Sequence, residues 1–415
     1  MRLGSCIALE VATGVLTLSA AAWGVAFATG AVRGDHEHVR HQASLVAPPA
    51  RVGVAPDVGP APATVPGRLP PAATGSGAGS QALSASETEP GRELEPADHD
   101  AGVDAAPQVA AAGVPAAAGP LEPVWVFLDQ PDEPLLAPLR TGELARVKFN
   151  GGGSSLSMRL EFADGSKAAF KPDQTHRHSN PRKEIAAYRI DRLLAIGRVS
   201  PAIGRAFPLR EIEAKLAGSA RDDEHRLSEE AIPHGGELRG EMSWWIPVLG
   251  VGHVEGKYKI DSAAGVDRWK KWLHQDNDIP PDEVEMCAQL SNITLFDFLI
   301  DNLDRWSGGN ANTTEDGKTI YYMDNTMAFS LDAEGGKKSQ AALARVEKFS
   351  RSLVSRIRAL DEASLRKVLS VDTGPYEEIL TGPEIAAVLQ RRDTLLKYID
   401  ELIARHGEAK VLAFP

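Results

Sequence analysis

Cysteine is almost missing from this chain: Cys6 and Cys287 are the only two in 415 residues. That excludes a disulfide-stapled scaffold and a cysteine zinc ribbon. Aromatic residues are also scarce at 6%, and no Phe, Trp or Tyr occurs between Phe27 and Trp125. The same region is proline-rich, with 13 of the 28 prolines between positions 31 and 120. A stretch so poor in large apolar side chains buries too little area to offset its ordering entropy. The core is therefore expected within residues 123–415, a length sufficient for one large or two-lobed domain. Basic residues are outnumbered, 45 against 57 acidic, for a net charge of −12. That balance argues against nucleic acid as a partner, because gripping its phosphates needs an excess of Lys and Arg.

Three segments follow from composition. Residues 1–33 contain 22 consecutive uncharged positions, Val11 to Val32, and read as a signal peptide or a membrane anchor. A small-residue cleavage site is offered by Ala26-Phe27-Ala28. Residues 34–122 alternate Ala, Pro, Gly and Val and read as a disordered linker. The expected location is therefore exported or membrane-anchored, with residues 11–32 as the candidate anchor. The rest, 123–415, is expected to hold a small β-rich lobe at about 123–250 and a mainly helical large lobe at about 251–415.

The small lobe opens with an alternating strand, Leu144 to Phe149, and a turn containing Gly151, Gly152 and Gly153. Leu156, Met158, Leu160 and Phe162 then recur with period two, Asp164-Gly165 marks a hairpin, and Lys167 to Lys171 returns. With Asp164-Gly165 as a two-residue turn, Lys171 falls opposite Met158 and shares the face of Met158, Leu160 and Phe162. Asn180-Pro181 supplies an N-cap and a first-turn proline for a helix to Ile196, stopped by Gly197, with Glu184 near its start. Its apolar stripe is Ala186, Ile190, Leu193 and Leu194. Glycine backbone approaches a triphosphate closely, a strand lysine neutralises phosphate charge, and a helix carboxylate holds that lysine. Further on, Gly240 to Leu249 reads as a strand leading to a hinge whose apolar slot would hold adenine.

In the large lobe an apolar helix around Met286–Ile300 ends in a loop carrying Asp304, Asn310 and Asn312. Thr319 to Met323 reads as a short strand, followed directly by Asp324-Asn325. Two loop-borne aspartates suit phosphoryl transfer: one accepts the proton of the acceptor hydroxyl, the other holds Mg²⁺ or Mn²⁺. Asp304 is the expected base, Asp324 the metal ligand and Asn310 its amide partner, with Asn312 in reserve, because such metals prefer oxygen donors. Residues 336–365 and 383–406 read as amphipathic helices without chemistry of their own.

Over roughly residues 140–400 the sequence resembles the secretory-pathway kinases of the Golgi casein kinase, glycosaminoglycan xylosylkinase and Four-jointed group. The resemblance is carried by Lys167-Ala168-Ala169-Phe170-Lys171-Pro172 and by the block Glu184 to Leu194. It continues through Arg198-Val199-Ser200-Pro201-Ala202-Ile203-Gly204-Arg205, Asn302-Leu303-Asp304-Arg305 and Met323-Asp324-Asn325. It implies a two-lobed α+β atypical protein-kinase-like fold, ATP with Mn²⁺ or Mg²⁺ as cofactor, and transfer of the γ-phosphoryl to a hydroxyl of a protein or glycan. By motif position it puts Lys171 on the phosphates, Glu184 in the lysine pairing or a metal shell, Asp304 as catalytic acid/base and Asp324 on metal. The chain departs from the group in lacking core disulfides and in a longer loop after Asp304-Arg305, which holds Trp306. The competing expectations are a catalytically inactive pseudokinase acting as a binding module, and a kinase-fold enzyme that transfers adenylate.

Overall fold

The computed structural model describes residues 121–151, 154–216, 221–306 and 309–415. The expected leader or anchor, nearly all of the linker, and Gly152 and Gly153 lie outside the described residues. The central feature is a five-stranded antiparallel sheet in the order β1-β2-β3-β5-β4. Its strands are β1 (Leu144–Phe149), β2 (Met158–Phe162), β3 (Lys167–Pro172), β4 (Ala202–Pro208) and β5 (Glu237–Trp244). One face is apolar and closed: Met158, Leu160, Phe162, Phe170 and Met242 are all buried.

The β2–β3 hairpin corrects the expected register. Gly165 takes φ +86°, and the Phe162 N–H donates to the Ser166 carbonyl, so the loop has three residues rather than two. A turn closed by a left-handed glycine adds one residue to the loop. Phe170 therefore stands opposite Met158, and Lys171 moves on by one. A one-residue shift sends every side chain to the other face. Lys171 thus leaves the apolar face and lies with Ala169 on the opposite one, across the ladder from Glu241 on β5.

Helix α1 (Glu133–Thr141) precedes the sheet, and α2 (Pro181–Leu193) packs against β4 and β5. The Asn180 side chain caps α2 by accepting from the Arg182 N–H at 3.2 Å. The helix ends at Leu193 rather than Ile196, because Ala195 and Gly197 both turn left-handed (φ 54° and 70°). All four expected stripe residues are buried. Its last turn is held by charge: Arg192 donates to Asp132 and Asp191, while Asp191 accepts from the N–H groups of Gly197, Arg198 and Val199. Two short helices, α3 (Leu209–Lys215) and α4 (Arg221–Glu230), lie between β4 and β5.

The remainder is mainly helical: α5 (Ala263–Leu273), α6 (Val284–Ile300), α7 (Lys337–Leu343), α8 (Arg351–Ala359), α9 (Glu362–Leu369), α10 (Gly382–His406) and α11 (Glu408–Val411). Helix α6 is buried around nearly its whole circumference, as its apolar composition requires. The expected helical stretch 336–365 is interrupted, because Phe349 exchanges backbone hydrogen bonds with Val411 and Phe414 instead of continuing a helix. Thr319–Met323 forms no continuous strand. Its backbone bonds are shared among Thr314, Asn312, Arg198 and the Gln289 side chain, with one isolated bridge from Ile320 to Thr313. Among the described residues no helix is long and apolar enough to cross a membrane.

Candidate active site

A cavity of about 280 Å³ opens between the polar face of the sheet and the loops that follow α6. From the sheet it is lined by Ala169, Lys171, Glu241 and Ser243, and from α2 by Glu184. Met323, Asp324, Asn310 and Asn312 line it from the loops. Trp244, Trp245, Ile246 and Leu249 give it an apolar end where β5 leaves the sheet, the expected adenine slot.

Lys171 Nζ donates to Asp324 Oδ1 at 2.8 Å, joining residues 153 positions apart. Burial works against the ammonium, but the carboxylates of Asp324, Glu184 and Glu241 outweigh it and raise its pKa. Burial alone would raise Asp324 too, yet the Lys171 charge and the hydrogen bonds from Lys171 and Thr326 bring it below the ordinary aspartate value. Asp324 sits at φ 53°, a left-handed conformation unusual for a residue with a side chain. Its neighbour holds it there. Glu184 accepts from the Asn325 backbone N–H at 2.5 Å and from the Asn325 amide at 3.0 Å. Glu184 is thus tied to the Asp324-Asn325 corner rather than ion-paired with Lys171. Burial raises its pKa, and the Lys171 charge opposes that.

The loop after α6 is fastened to the same corner. Arg305, fully buried, donates to Asp297 on α6, to the Asn310 and Met323 carbonyls and to the Asn325 side chain. Asn302 donates to Asn325 at 3.0 Å and accepts from the Asp304 N–H at 3.1 Å. Asp304 is half-buried, and its Oδ2 accepts from the Asn310 amide at 3.1 Å. Asp304 does not itself line the cavity, but Asn310, which holds it, does.

Lys171, Glu184, Asp324 and Asn310 therefore meet at one cavity, with Asp304 one hydrogen bond away. The glycine turn contributes differently: Gly151 is exposed and is not part of the lining, whereas Asn150, Ser155 and Ser157 are. Sequence reasoning gave no role to Glu241, or to Asn325 and Arg305, although the last two stand inside the motifs that carry the resemblance. Glu241 is 1% exposed, and its carboxyl is pushed up to about 8, by burial first and then by the charge on Glu184. Its one visible signal was a lone acid inside the apolar run Gly240 to Leu249.

Among the described residues no cluster of three or more His, Cys, Asp or Glu is assembled for a metal. The donors present are carboxylate and amide oxygens: Glu184, Asp324, Asn310 and Asn312. That set fits Mg²⁺ or Mn²⁺, which take one or two protein carboxylates and complete their shell with phosphate oxygens and water.

No profile of a known protein family matches the sequence. Single relatives do. The pseudokinase FAM20A of Mus musculus is 24% identical over 307 residues, covering 63% of this chain and 56% of that protein. The glycosaminoglycan xylosylkinase of Danio rerio is 23% identical over 334 residues, covering 71% of this chain and 80% of that protein. The chain thus spans little more than half the length of the first of these relatives. Two crystal structures of the Golgi casein kinase, one with Mn/ADP bound, superpose with TM-scores of 0.54 and 0.53 at 18% identity. They cover 68% of this chain and 76% and 78% of theirs. The fold is accordingly kinase-like, of the type seen in those proteins.

Proposed function

We propose that this protein is an ATP-dependent phosphotransferase that moves the γ-phosphoryl group to a hydroxyl of a protein or glycan, in an exported or membrane-anchored setting. The observation that carries the reading is the Lys171–Asp324 ion pair, backed by Glu184 and facing a cavity that also takes in Asn310. Lys171 binds the α- and β-phosphates, Asn150, Ser155 and Ser157 face them from the flanks of the expected glycine turn, and the Trp245–Leu249 end holds the base. Asp304 orients the acceptor hydroxyl and takes its proton as the acceptor oxygen bonds to phosphorus and the bond to the ADP oxygen breaks. Asn310 fixes the carboxylate for that step through its N–H, and its carbonyl oxygen remains for a cation. Asp324 and Asn310, with Asn312 as the alternative amide, would hold Mg²⁺ or Mn²⁺, whose charge would neutralise that of the phosphates, while Glu184 fixes the Asp324-Asn325 corner. The names of this chain's relatives, a glycosaminoglycan xylosylkinase and a casein kinase, support both acceptor classes.

The test pairs two variants with labelled ATP, Mn²⁺ and separate protein and glycan pools. Asp324→Ala should abolish metal-dependent nucleotide binding. Asp304→Asn should keep binding but lose transfer by about 10³-fold or more, the scale expected for a positioned base. Asp304→Asn turning over like the unmodified protein refutes the mechanism. Nucleotide binding without transfer to any acceptor would replace it by a binding module, and a product mass gain of adenylate rather than phosphate would replace the transferred group.

A further inference from the structure

Lys171 is ion-paired with Asp324, the same carboxylate that the proposed function gives to a divalent cation. An ammonium and a cation repel one another across one carboxylate, so loading the site weakens that pair, even though Lys171 and Thr326 both take Oδ1. Glu184 is already engaged, because its two oxygens hold the Asn325 backbone and side-chain amides. Glu241 is the remaining carboxylate of the cavity lining. It stands directly across the β3–β5 ladder from Lys171, and the Ser243 hydroxyl donates to it from the same face. Facing residues of an antiparallel pair have Cβ atoms about 5 Å apart, well within reach of a lysine side chain.

We infer that Glu241 is a positioning residue for Lys171, receiving its ammonium when a cation takes Asp324. The lysine then stays on the sheet side of the cavity, where phosphate oxygens arrive, instead of falling back onto the metal carboxylate. The inference rests on the proposed roles of Lys171 and Asp324, and it assigns a task to a buried acid that those roles leave unused.

Calorimetric titration with Mn²⁺–ADP on the full chain tests it through a double-mutant cycle. With Glu241→Gln, opening the Lys171–Asp324 pair leaves the ammonium without an acidic partner, so affinity should fall about tenfold. With Lys171→Met there is no pair to open, and adding Glu241→Gln should change affinity less than about twofold. Glu241→Asp should recover part of the loss, since the charge returns at the same register position. Gln matches Glu in shape, and a melting curve without ligand checks the fold; should Gln not be tolerated, Glu241→Met takes its place in the same cycle. Equal losses in both lysine backgrounds, or Glu241→Gln binding like the unmodified protein, overturn the inference while leaving the phosphotransferase reading intact. Failure of the unmodified protein to bind Mn²⁺–ADP brings down both.

Discussion

Glu184 and Glu241 line the same cavity from different elements, and their surroundings give them different chemistry. Glu184 is bound by two N–H donors of Asn325, whereas Glu241 receives a hydroxyl, and burial holds its carboxyl up at about 8 while the Lys171 ammonium is paired with Asp324. A carboxyl that is raised to about 8 in the folded protein holds its proton over a range where the unfolded chain, near ~4.3, has lost it. Its contribution to stability is therefore greatest below ~4.3 and declines as pH rises toward about 8. Urea unfolding of the cation-free protein across that range should show a shallower decline for Glu241→Gln than for the unmodified chain. An unchanged slope would mean that Glu241 is already ionised at neutral pH. The two aspartates and Glu184 were legible because each sits in a loop or at a helix start, and the strand lysine because it follows a glycine turn and a hairpin in the order that a phosphate site uses. Glu241 was not, because a glutamate in a strand carries no local mark of what faces it.

At the scale of the element, the decisive feature is the β2–β3 turn. The Asp164-Gly165 pair announced a hairpin, but not that Gly165 would close a three-residue loop. Turn length decides which face Lys171 takes, and so whether it meets the cavity at all. The β3–β5 ladder beside it tolerates no extra atom: a Cβ on Gly240 would lie 2.4 Å from the Lys171 carbonyl oxygen and 2.7 Å from the Phe170 ring. Gly240→Ala should therefore cost about 1–3 kcal/mol by overpacking and weaken Mn²⁺–ADP binding by displacing Lys171. Chemical denaturation and calorimetry read the two effects, and a fully stable variant would contradict the ladder's geometry. Helix α2 shows the reverse case. Its cap, stripe and Glu184 were readable from periodicity, and only its end moved, because Asp191 takes the backbone N–H groups of residues 197–199 for itself.

Across the whole molecule, Arg305 ties the helical region to the cavity. It joins Asp297 of α6 to Asn325, whose amides are held in turn by Glu184 of α2. Arg305→Met would leave the Asp297 carboxylate buried without its cation. A loss of about 3–5 kcal/mol is expected, together with loss of transfer activity. Denaturation midpoints within error of the unmodified protein would show that Asp297 finds another partner. Cys287 has the opposite character: burial pushes its thiol up to about 12, so it stays protonated and inert. Mass-spectrometric mapping after iodoacetamide treatment should find it unmodified in the folded chain and alkylated after unfolding.

The amino-acid sequence alone settled what depends on near neighbours: strand alternation, the cap at Asn180 and the apolar run of α6. It also supplied the carboxylates, amides and lysine in an order that phosphoryl transfer uses. Only the tertiary structure decided that Lys171 pairs with Asp324, that Glu184 holds Asn325, and that Glu241 stands across from the lysine. Those outcomes depend on turn length, sheet order and burial, which are set by packing between segments up to 153 residues apart and leave no trace in any short window of the chain.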